Sequence, residues 1–112
     1  MATSWVTKAH QAAKQRAQTK GLPFDITIAE LEAQYEAQNG FCYWFKIPLC
    51  SGTGISYHPA SPSLDRVSSA RGYTYGNVVW TCLAANLAKR DTDPDCWEEF
   101  LSLLRYSLHD SE

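Results

Sequence analysis

One carboxylate and two carboxamides stand at short, ordered spacings in the stretch SLDRVSSARGYTYGNVVWTCLAANLAKR, Ser63–Arg90: Asp65, Asn77 and Asn86. A carboxylate and an amide oxygen are hard ligands that suit Mg2+ or Mn2+. A divalent ion beside a phosphodiester can polarise it and stabilise a departing oxygen. Asp65 lies in a β-prone run bounded by Pro62 and Ser68, and Asn77 closes a Gly-rich turn and opens Val78-Val79-Trp80. Asn86 falls in the helix predicted to follow. A hairpin feeding a short helix can bring a ligand on its first strand close to one on the helix, with the middle amide on the turn. The pattern predicts a one-metal site held by Asp65 and Asn86.

Three further features go with these residues: the turn Gly72-Tyr73-x-x-Gly76-Asn77-Val78, the nine-residue step from Asn77 to Asn86, and the ending Asn86-x-x-Lys89. Together they resemble the HNH, or ββα-metal, nuclease family, in which a strand Asp-His pair, a loop Asn and a helix His or Asn surround one divalent ion. A basic helix, a Gly40-x-Cys42-x-x-x-x-x-Pro48-Leu49 turn and a closing helix also recur in phage-type members, so the likeness runs over about residues 8–104. It implies a metal-dependent DNA endonuclease, nicking one strand unless two copies pair as a homodimer or within a larger nuclease complex. The competing reading is an HNH-derived protein, catalytically weak or inactive, that binds DNA or acts as a nuclease inhibitor or adaptor.

The departure from the family is Arg66, where the resemblance calls for histidine. A guanidinium stays protonated and cannot serve as a general base, although it can hold a scissile phosphate. Asp-Arg at this position occurs among phage-type relatives. His58, seven residues before Asp65 and just ahead of Pro59, is either a replacement base or an exposed loop residue. In the family the loop Asn orients the base, so Asn77 either orients His58 or braces the turn. Many relatives also carry two Cys-x-x-Cys pairs around the hairpin. Here Cys42 is followed three residues later by Phe45, and Cys82 by Ala85. Two thiolates do not make a tetrahedral site, so structural zinc is not expected and Phe45 is expected to fill the vacated volume.

The net charge of −2 and pI of about 5.9 conceal a segregated pattern. Residues 1–24 carry Lys8, Lys14, Arg16 and Lys20 and no acid, Asp65–Arg90 sets Arg66, Arg71, Lys89 and Arg90 against Asp65, and Asp91–Glu112 has seven acids against Arg105. Basic residues on the first helix and around the site, with Tyr75 beside them, are therefore expected to meet DNA phosphates, and the acidic tail to face away.

A chain of 112 residues, 45% hydrophobic, fits one α+β domain over 1–112: a helical part at 1–40, the ββα-metal core at 41–90 and a closing helix at 91–112. No apolar run is long enough to cross a bilayer, and the basic start lacks the apolar core of a signal peptide, so no membrane is expected. Cytoplasmic residence, by the resemblance in a bacterial or phage-infected cell, would keep the four cysteines reduced.

The elements that position the site can be read in order. Trp5–Lys20 is rich in helix formers and ends at Gly21-Leu22-Pro23; Thr27 with Glu30 has the capping-box pattern for a helix from Ile28 to Gln38, its buried stripe Ile28, Leu31 and Tyr35. Residues Phe41–Leu49 are strand-like up to Ile47-Pro48, with Tyr43, Trp44 and Phe45 as core, and Ser51–Pro62 is loop. After the hairpin, whose Trp80 should be buried, a helix spans Leu83–Lys89. Asp93-Pro94 starts the last helix, whose Trp97, Phe100, Leu101, Leu104 and Leu108 are expected to clamp the core. Tyr73 is expected to pack under the turn, and Gly72 and Gly76 to supply backbone angles closed to other residues.

Overall fold

The computed structural model describes residues 4–51 and 58–110. Four helices and one hairpin follow in order: α1 (Ser4–Lys20), α2 (Ile28–Ala37), β1 (Pro62–Arg66), β2 (Val78–Cys82), α3 (Leu83–Lys89) and α4 (Pro94–Asp110). The strands pair antiparallel with Asp65 opposite Val79 and Leu64 opposite Trp80, so the architecture is α+β with a ββα core. Part of the Ser51–Pro62 stretch lies outside the described residues.

Local chemistry sets the helix ends. Thr27 accepts from the Glu30 N–H at 3.1 Å while the Glu30 carboxylate accepts from the Thr27 N–H at 3.0 Å, which completes the expected capping box. Asn39 and Gly40 then take positive φ, 54° and 73°, and end α2. At α4 the Asp93 side chain accepts from the Asp95 N–H at 2.9 Å, as expected of a cap before Pro94.

Every residue of β2 is buried. The usual strand alternation disappears because helices pack on this strand from both α2 and α3. Trp80 is fully buried, its ring 5.0 Å from that of Trp5 and 6.3 Å from that of Tyr35, and its Nε1 donates to the Leu31 carbonyl at 2.8 Å. The Gln38 carboxamide completes this corner. It accepts from the Trp80 N–H at 2.9 Å and donates to the Trp80 carbonyl at 2.8 Å.

Three expectations are corrected here. Residues 41–49 form a tight turn rather than a strand, closed by an isolated bridge between Phe41 and Pro48 and with Lys46 at φ 61°. The cause is the Cys42 sulfur, which gathers the Phe45 N–H at 3.3 Å, the Cys82 N–H at 3.2 Å and the Thr81 hydroxyl at 3.2 Å. Phe45 is half-buried and stacks on Trp97, with ring centroids 6.2 Å apart. In α4, Trp97 and Leu101 are buried but Phe100 and Leu108 are exposed, because only Trp97 and Leu101 of this helix enter the core and Phe100 stacks on the Trp97 ring at 5.6 Å. Gly76 has φ 93°, as expected. Gly72 instead supplies room: a Cβ there would stand 2.4 Å from the Pro23 carbonyl oxygen. Among the described residues no helix is long and apolar enough to cross a membrane.

Candidate functional site

The hairpin and α3 build a cleft of about 370 Å3 against α1. Side chains at alternate positions of β1 point to the same face, so Ser63 and Asp65 turn together toward α3. Asn86 meets them there. Its Nδ2 donates to the Ser63 hydroxyl at 2.7 Å and to the Leu64 carbonyl at 3.3 Å, which fixes the amide and leaves Oδ1 for a ligand. Asp65 and Asn86 thus line the same cleft, as the sequence predicts.

Asp65 is held from two further sides. Trp44 Nε1 donates to its Oδ2 at 2.8 Å, and the Lys89 ammonium lies 3.2 Å from Oδ2 and 3.5 Å from Oδ1. Lys89 is 1% exposed and also donates to the Arg66 carbonyl at 3.0 Å. The sequence pattern set Lys89 among the DNA-facing cations, and that assignment is corrected: the side chain is internal. Its position three residues after Asn86 carried the signal, since that spacing puts both on one face of α3, toward β1.

Arg66 is buried as well. Its Nη1 donates to the carbonyls of Ser69 and Arg71, and its guanidinium lies over the Tyr73 ring, 5.2 Å from the centroid. Tyr73 is buried under the turn as expected, and its hydroxyl accepts from Arg16 Nε at 3.4 Å. Asn77, 1% exposed, braces the turn: Oδ1 accepts from the Ser68 N–H at 3.0 Å, and Nδ2 donates to the carbonyls of Ser68 at 3.2 Å and Gly72 at 2.9 Å. Every polar atom of that amide is occupied, so it orients no histidine. His58 is half-buried, its Nδ1 accepts from the Ala60 N–H at 3.0 Å, and it is not among the cleft-lining residues.

Of the cations expected to meet DNA, Arg16, Lys20 and Arg90 line the cleft together with Arg66. Lys8, Lys14, Arg71 and Tyr75 are exposed but lie outside its lining. Lys14, two residues from Arg16, points about 200° away around α1. The one ion pair among the described residues joins Asp65 and Lys89, so the four cleft cations have no carboxylate partner there. Asp91 also lines the cleft and makes no hydrogen bond or ion pair among the described residues. Asp91, Trp44 and the reach of Ser63 to Asn86 belong to the site as well, and none of them carries a spacing signal in the sequence.

Arg90 sits at φ 47° and ψ −126°. This is the region used by the first central residue of a type II′ turn, where glycine dominates. A side chain kept there carries backbone strain on the cleft rim.

The two buried thiols form a pair behind the hairpin. Burial pushes Cys42 up, but hydrogen bonds from Thr81 and from backbone N–H groups outweigh it and hold the thiol below its ordinary value; burial, with Cys42 close by, pushes Cys82 up to about 11. Among the described residues no group of three or more His, Cys, Asp or Glu could hold a metal ion.

No family model matches the chain, and no curated protein matches it. Among solved structures it is similar to the rare-cutting HNH restriction endonuclease PacI, with a TM-score of 0.65 and 17% identity over 95% of this chain and 78% of that one. The likeness is one of fold: the chain has an HNH-like fold.

Proposed function

We propose that this protein hydrolyses DNA phosphodiester bonds with a divalent metal ion, as a nicking endonuclease of HNH type in which Arg66 stands where that family carries histidine. The observation that carries the reading is the cleft, to which Asp65 and Asn86 offer oxygen and which four cations without carboxylate partners line. The donor set fits a hard ion. Asn86 Oδ1 is left for a ligand, and Asp65 Oδ1 has only the 3.5 Å contact with Lys89. Asp65 and Asn86 would hold Mg2+ or Mn2+ through these two oxygens, and the ion would supply Lewis-acid stabilisation of charge on the phosphate and the departing oxygen.

The chain's own groups do the rest. Arg66 has Nη1 committed to two carbonyls and offers its other N–H donors to a phosphate oxygen. Arg16, Lys20 and Arg90 hold neighbouring phosphates. Arg66 cannot take a proton from the attacking water, and His58 stands outside the cleft lining, so the proton goes to Asp91, the cleft carboxylate without an ion pair.

One observation favours a second reading, a DNA-binding module without turnover: the Lys89 ammonium already neutralises Asp65. Supercoiled plasmid with Mg2+ or Mn2+ separates the two. Wild type is expected to nick it, Asp65→Asn to abolish cutting, Asp91→Asn to slow it about 100-fold or more, and His58→Ala to leave it unchanged. Equal cutting by wild type and Asp65→Asn refutes the site. No cutting, with salt-dependent DNA retention, establishes the second reading.

A further inference from the structure

Two guanidiniums meet one phenol at the cleft. Arg66 lies over the face of Tyr73, and Arg16 Nε donates to its hydroxyl. Tyr73 itself is anchored: its N–H donates to the Pro23 carbonyl at 2.9 Å, its carbonyl accepts from the Asp25 N–H at 3.1 Å, and its ring packs on Phe24 at 5.7 Å. Gly72 has its backbone against Pro23, so the loop before α2 and the hairpin turn are locked together at this residue.

Like charges brought to one side chain repel each other, and neither guanidinium has a carboxylate oxygen within 4.0 Å among the described residues. A fixed cluster of that kind is stabilised by an anion, and a planar, multi-donor cation suits phosphate oxygens. We infer that Tyr73 is a positioning residue that joins Arg16, from α1, and Arg66, from β1, into one preorganised clamp for the phosphates of a polynucleotide backbone. The inference rests on the cleft being the DNA site. It adds that affinity depends on a neutral side chain which itself donates nothing to the phosphate. Free Arg16 would lose rotamer freedom on binding DNA, and the phenol hydroxyl removes part of that cost beforehand.

The test is a double-mutant cycle on binding to a fluorescein-labelled duplex, read by anisotropy in EDTA so that turnover is absent. Tyr73→Phe keeps the ring under Arg66 and removes only the hydroxyl that holds Arg16. It is expected to weaken binding about fivefold in the wild-type background and not at all in the Arg16→Gln background. Arg16→Gln alone is expected to weaken binding and to lower the slope of log K against log salt by about 0.9. A loss of the same size from Tyr73→Phe in both backgrounds would show a general structural role and overturn the inference. So would no loss from Tyr73→Phe where Arg16→Gln weakens binding. If Arg16→Gln and Arg66→Gln both leave affinity and slope unchanged, the cleft is not the DNA site and both readings fall.

Discussion

Lys89→Met removes the ammonium that faces Asp65 and keeps most of the side chain's volume. The carboxylate left behind is 7% exposed and retains the Trp44 Nε1 donor at 2.8 Å. The Arg66 carbonyl also loses its 3.0 Å partner. Breaking a buried pair by deleting one partner costs about 3–5 kcal/mol, because the remaining charge is uncompensated. For a domain of this size each kcal/mol moves the melting temperature by about 4 °C, so a fall on the order of 15 °C is expected in a thermal melt. Asp65→Asn combined with Lys89→Met leaves no charge unpaired and should recover most of the loss. A divalent ion gives a second reading of the same site. If the freed Asp65 carboxylate and Asn86 can bind one, millimolar Mn2+ should raise the melting temperature of Lys89→Met more than that of wild type, and should not raise that of the double variant. A Lys89→Met protein that melts within about 2 °C of wild type would show that the pair does not hold the site together.

Arg90→Gly should relieve the strained φ and raise stability by about 1 kcal/mol after the entropy of the added glycine, a gain of about 4 °C, while weakening DNA binding in the same preparation. A gain without loss of binding would remove Arg90 from the site. Thiol reagent at pH 8 should modify Cys50 and Cys96, which are exposed, and leave Cys42 and Cys82 unreacted until the chain is denatured. Because the folded chain holds the Cys82 proton up to about 11, whereas the unfolded thiol loses it near its ordinary value, this residue lowers stability as pH rises between the two; Cys82→Ala should flatten that part of the alkaline melting profile.

The hairpin, α2 and α3 were legible because their signals are local. A capping box, a turn with glycine at positive φ and a helix that starts directly after a strand all act within a few residues. The convergence of Asp65 and Asn86 could be read for the same reason: one strand, one turn and one short helix leave few ways to arrange them. Only part of what surrounds Asp65 could be read, since the Asn86-x-x-Lys89 spacing turns Lys89 toward β1 and no comparable signal marks Trp44. Trp44 lies 21 residues away and Lys89 lies 24, and nothing in the spacing of the first states that its indole nitrogen ends on a carboxylate. Residues 41–49 misled for a different reason. Aromatic residues favour strands on average, but here a sulfur atom collecting two backbone N–H groups and a hydroxyl bends the chain, and the aromatics reach the core from a turn. In α4 the periodicity gave the apolar stripe correctly. It did not reveal that only Trp97 and Leu101 of that stripe enter the core, while Phe100 and Leu108 stay exposed.

The carboxamide of Gln38 has a consequence for association. A two-stranded sheet offers unpaired backbone groups along its outer edges, which invite another chain to add a strand. At Trp80 that invitation is withdrawn, because one side chain from the end of α2 supplies the donor and acceptor that a third strand would bring. The outer edge of β2 is therefore closed at its centre, where the Tyr43 N–H also donates to the Trp80 carbonyl at 2.9 Å, and the cleft is left to the residues of β1.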